Sequence, residues 1–134
     1  MNPQIRRNGA IGILWLVHIS AIIGVSIGYQ EWFISKTPLN LLIITLLVIA
    51  VFQVKTAGNM LIFGAIFIAG FLAEWIGVHS GFPFGSYTYG SNLGFKLDEI
   101  PFMIGANWAV LVFVTGAIAS VIFNKIFPIT KNHP

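Results

Sequence analysis

Apolar positions along the chain fall in four long blocks, without the alternation of a half-buried strand or the single stripe of a soluble helix. Each block approaches the ~20 residues needed to cross the hydrocarbon of a bilayer. The pattern predicts helices over residues 9–29, 38–54, 60–78 and 101–123, an all-α integral membrane fold forming a single transmembrane domain over 1–134. Thr37 and Pro38 suit the start of the second helix, the threonine as a cap for free N–H groups and the proline at the first helical position. Residues 57–59 read as a short turn, and the last helix would rise about 34 Å. A cleaved signal peptide is the weaker reading of the first block, which is longer than a typical h-region and ends in Gly28-Tyr29-Gln30-Glu31 with no small-x-small site.

Polar residues inside the blocks are few, and ionisable ones cost about 2.5 kcal/mol or more in hydrocarbon. Those that call for an explanation are His18, Gln53, Glu74 and Asn107. Gln53 lies at a helix end, where it reaches headgroups or water. His18 lies near the midplane and suits either an interhelical hydrogen bond or a proton relay. Glu74 is about 7.5 Å below the outer end of its helix and Asn107 about 9 Å below the start of the next, so the two could meet. A carboxyl at that depth, beside Trp75 and one turn from Phe71, should be desolvated. That suits a proton donor, and it equally suits a Glu74–Asn107 hydrogen bond that only joins two helices.

The segment after Glu74 mixes glycines with aromatics from His79 to Phe95 and is long for a connector. It reads either as an aromatic belt at the headgroups or as a re-entrant lid over an apolar substrate. Asp98 and Glu99 precede Pro101, where carboxylates would complement the positive end of the last helix. Gly24/Gly28 and Gly77/Gly81 match the small-xxx-small spacing of close helix pairs, a weak signal in a chain with 14 glycines.

Composition agrees with a membrane solvent: 57% of residues are hydrophobic and 8% charged, with a mean hydropathy of +0.88. The net charge of +3 comes from seven Lys and Arg spread over tails and loops, which read as topology signals and not as a nucleic-acid surface. Arg6, Arg7, Lys55, Lys125 and Lys131 fall on one side, Lys36 and Lys96 on the other. The positive-inside rule then makes both termini cytoplasmic, in a bacterial inner membrane, with residues 79–100 on the outer side. Without cysteine there is no thiolate chemistry. Three scattered histidines build no oxygenase metal box, and no Gly-rich phosphate motif is present. What remains for an enzyme is acid–base work on a lipid-soluble substrate without cofactor or metal.

The run Glu74-Trp75-Ile76-Gly77-Val78-His79-Ser80-Gly81-Phe82-Pro83-Phe84-Gly85-Ser86-Tyr87-Thr88-Tyr89, continued by Leu93-Gly94, Pro101 and Trp108, resembles the signature of the carotenoid biosynthesis membrane family over residues 39–113. That family includes acyclic carotenoid hydratases, bisanhydrobacterioruberin hydratase among them. The resemblance implies addition of water to a terminal double bond of an acyclic carotenoid. The residues suggest how, with Glu74 as proton donor, Trp75, Phe82, Phe84, Tyr87, Tyr89 and Trp108 as substrate-binding aromatics that can stabilise a cation, and Asn107, Tyr89 or His79 as holders of the water. Members also share a second half with Trp-Asp and Asp-Pro motifs, and nothing of that kind follows Phe123. The expectation is a homodimer or a partner polypeptide that supplies this half. The alternative is a non-catalytic subunit or degenerate paralogue that binds carotenoid or a partner enzyme.

Overall fold

A computed structural model describes residues 2–52, 54 and 56–127. Gln53, Lys55 and Lys131, used above for interfacial placement and topology, lie outside the described residues. The chain forms α1 (Pro3–Ser26), α2 (Gln30–Ser35), α3 (Thr37–Val51), α4 (Ala57–Ser80), a 3-10 turn (Ser91–Leu93), β1 (Lys96–Leu97), β2 (Ile100–Pro101) and α5 (Phe102–Ile126). Three of these, α1, α4 and α5, are long and apolar enough to cross a membrane. The second predicted span is shorter than expected: α3 has 15 residues, a rise of about 22 Å against the ~30 Å of hydrocarbon.

Local chemistry explains most boundaries. Asn2 caps α1 by accepting from the Gln4 amide at 2.9 Å, with Pro3 in the first turn. Thr56 does the same for α4, accepting from the Asn59 amide at 3.3 Å, so residues 57–59 are the first turn of that helix and not a connector. Gly81, at φ +73, ends α4 in the left-handed conformation open to glycine at little cost. Thr37 does not cap α3 as its sequence position suggests. Its hydroxyl donates back to the Ile34 carbonyl at 2.7 Å, because α2, unforeseen in the apolar pattern, runs almost straight into α3.

The main helix packing is α4 on α5, with α3 bridging α5 to α1. Segment 81–101 is more ordered than a loop. The strands β1 and β2 pair antiparallel in the register Lys96↔Pro101 and Leu97↔Ile100, leaving Asp98 and Glu99 as a two-residue turn with φ 48 and 68. Positive φ at both positions is the requirement of a tight hairpin turn that follows the strand twist. These two acids therefore do not cap α5, whose first turn has no side-chain cap. Ile100 is fully buried, so the hairpin plugs the end of the bundle where α4, α5 and the aromatic segment converge.

Candidate functional site

Glu74 lies on the face of α4 that carries Gly70 one turn before it and Gly77 one turn after. Both glycines are buried, and both are there to admit an aromatic ring. A Cβ on Gly70 would fall 2.4 Å from the Trp108 Cβ, and one on Gly77 would fall 2.7 Å from the Tyr87 hydroxyl. Bare backbone above and below the acid lets α5 approach from one side and the aromatic segment from the other.

The carboxyl takes the donors they bring. Oε2 accepts from the Tyr87 hydroxyl at 2.5 Å and from the Tyr89 hydroxyl at 2.7 Å. Oε1 accepts from Trp108 Nε1 at 2.9 Å. The Tyr87 and Tyr89 rings meet edge to face at 5.6 Å, and Phe84 adds an edge contact to Tyr87 at 6.5 Å. Burial first, and donation to Glu74 second, push the Tyr87 phenol up to about 12, and the same two causes raise Tyr89 further. Both phenols therefore stay protonated donors at neutral pH.

Of the residues named from sequence, Tyr87, Tyr89 and Trp108 converge on Glu74. Asn107 does not reach the carboxyl: it is half-buried on α5 and its side chain makes no hydrogen bond among the described residues. The neighbouring Trp108 takes the expected place, since Gly70 faces its Cβ. His79 and Trp75 belong to a second cluster. Trp75 Nε1 donates to Asp98 Oδ2 at 2.6 Å, and the His79 ring stacks on Trp75 at 4.6 Å. His79 Nδ1 donates to the Trp75 carbonyl at 2.8 Å, while its Nε2 stands 3.7 Å from the same Asp98 oxygen.

Phe82, Phe84 and Phe95 are 73%, 50% and 75% exposed, so only the two tyrosines of the five aromatics in this segment fold inward, and a continuous five-ring lid is not formed. His18 is exposed and bonds the Leu14 carbonyl of its own helix at 2.8 Å, which removes the expected interhelical bond. Among the described residues no three His, Asp or Glu side chains come together as metal ligands would.

Four residues of this region carried no functional reading in the sequence. Gly70, Gly77, Lys96 and Asp98 all shape the site, and only the glycines left a legible trace: small residues four before and three after an intramembrane acid mark the face on which it must be reached. The sequence profile of the carotenoid biosynthesis protein family matches residues 37–132, a stretch that contains every residue of the site. No curated protein and no solved structure is matched.

Proposed function

Given that the chain belongs to the carotenoid biosynthesis protein family, we propose that it hydrates a terminal carbon–carbon double bond of an acyclic carotenoid inside the membrane. The observation that supports this reading most is an acid within a spanning helix whose two oxygens are held by two phenols and an indole. In its protonated form Glu74 delivers the proton to the less substituted alkene carbon, leaving a tertiary carbocation. The carboxylate so formed keeps its three donors, so the charge developed in the step meets dipoles already in place. Faces of Trp108 and Tyr87 stabilise the cation by about 0.5 to 2 kcal/mol each. Water adds to the cation, and the proton lost by the resulting oxonium returns to Glu74. Asn107, one residue from Trp108 and without a partner among the described residues, is the group on hand to orient that water.

For topology, the basic residues favour both termini on the cytoplasmic face of a bacterial inner membrane. That requires α3 to cross as well, with local thinning of the bilayer covering its deficit. Impermeant-reagent labelling of Ser91→Cys in intact cells is the expected result. Labelling only after the membrane is opened inverts the arrangement.

A second reading has one observation in its favour. Phe82, Phe84 and Phe95 each leave half or more of their surface exposed, apolar area open to a partner, as a non-catalytic subunit or a site completed by a second polypeptide would need. Expression in a host that accumulates acyclic carotenoids separates the two. Hydration predicts a product heavier by one or two waters, bearing tertiary alcohols. Carotenoid that co-purifies with the protein but is never altered, with or without a partner chain, sinks the catalytic reading.

A further inference from the structure

The Glu74 site is assembled from three segments, α4 with the acid itself and the aromatic segment and α5 with its donors, and one short hairpin touches all three. Tyr89 sits in irregular chain, and its main-chain carbonyl accepts a hydrogen bond from Lys96 Nζ. Lys96 opens β1 and is paired with Pro101, the residue that leads into α5 and hence to Trp108. At the tip, Asp98 accepts from the indole of Trp75, the residue after Glu74 on α4. The turn is built against local preference. Left-handed backbone costs a residue with a side chain about 1–2 kcal/mol, and such turns favour Asn-Gly, yet Asp98 and Glu99 occupy it at φ 48 and 68. What the acid gives in return is a tether that asparagine's neighbour glycine could not supply: a carboxylate carried to an indole 23 residues upstream in the chain.

We propose that Asp98 and Lys96 are positioning residues for the Glu74 site, the hairpin acting as a buckle that sets where Tyr89 and Trp108 stand around the carboxyl. Its consequence for turnover rests on the hydration reading above. Its consequence for the tyrosines does not.

Two substitutions separate the tether from the turn. Asp98→Gly relieves the backbone and removes the acceptor, whereas Asp98→Asn keeps both an acceptor oxygen and tolerance of positive φ. In the full chain in detergent, the late tyrosinate absorbance expected of wild type, in which burial and donation to Glu74 raise the Tyr89 phenol, should move toward the ordinary value of about 10 in the Gly variant. It should stay in place in the Asn variant. Hydration should fall on the order of ten- to a hundred-fold in kcat with KM little changed for Gly, and the Asn variant should rescue it. Where the Gly variant fails to accumulate, Trp75→Phe cuts the same bond without touching the turn and is read by the tyrosine titration. A Gly or Phe variant that titrates like wild type overturns the proposal, as does a moved titration with unchanged hydration. A wild-type chain that never hydrates, together with a titration that moves as expected, removes the hydration reading and leaves the buckle standing.

Discussion

Helices α1 and α4 have the same length, 24 residues, and both are apolar enough to span. His79 and Ser80 in the last turn of α4 bond back to their own helix as the polar groups of α1 do, but Glu74 inside the span is satisfied in the opposite way. On α1 the His18 ring and the hydroxyls of Ser20 and Ser26 each turn back to a carbonyl of their own helix, three or four residues earlier. On α4 the Glu74 carboxyl takes all its donors from elsewhere, two from the aromatic segment and one from α5. The difference is chemical. Hydroxyls and a neutral imidazole can donate, and a helix in lipid offers carbonyl oxygens along its whole surface. The carboxylate that Glu74 becomes on giving up its proton only accepts, and the N–H groups of the helix interior are already committed. An acid within a span therefore obliges other parts of the chain to come to it, and α1 makes no such demand.

The sharpest way to break this comparison is Glu74→Gln. The amide keeps the shape of the group but can neither give up a proton as an acid nor hold the charge of a carboxylate. Hydration should fall by about 10² to 10⁴-fold while the protein still inserts. Product formed at near wild-type rate would make Glu74 a residue that only pairs segments.

Next in size is a contrast between glycines. Gly70→Ala places a methyl 2.4 Å from the root of the Trp108 side chain, which cannot swing away, so α5 must shift. The cost should be about 1–3 kcal/mol, read as a lowered thermal midpoint in detergent. Gly12 of α1 has no atom within 4 Å of its added Cβ, and alanine there should leave the midpoint unchanged or raise it, by up to about 1 kcal/mol of helix propensity. Equal effects at the two sites would erase the distinction between the helices.

Gly77→Ala tests the site more than the fold. Its new methyl meets the far end of Tyr87, 2.7 Å from the hydroxyl, which can move aside at the loss of one donor to Glu74. The expected outcome is a normal midpoint with hydration lowered about ten-fold, the scale of one hydrogen bond to a charged group. The smallest effect belongs to His18→Ala. Its ring is exposed and bonded within its own helix, so stability should change by less than about 0.5 kcal/mol and hydration not at all. A large loss of hydration would restore His18 as a relay.

Block length and composition settled the solvent of this chain, because about twenty apolar residues in a row have no other stable surroundings. The same reasoning singled out Glu74, since a carboxyl within a span is costly wherever it points. Proline and the runs themselves placed α4 and α5 to within a few residues of where they lie. The partner of Glu74 was beyond such reasoning. Depth along two helices makes Asn107 and Trp108 nearly equivalent, and only the rotation of α5 against α4, set by Gly70 receiving the Trp108 side chain, decides between them. The same holds for Asp98, which by position is a helix cap and by structure the tip of a hairpin bonded to Trp75. Where a side chain's role depends on its own helix, local chemistry determines it. Where it depends on which face another segment turns toward it, the close packing of the whole bundle is what selects the answer.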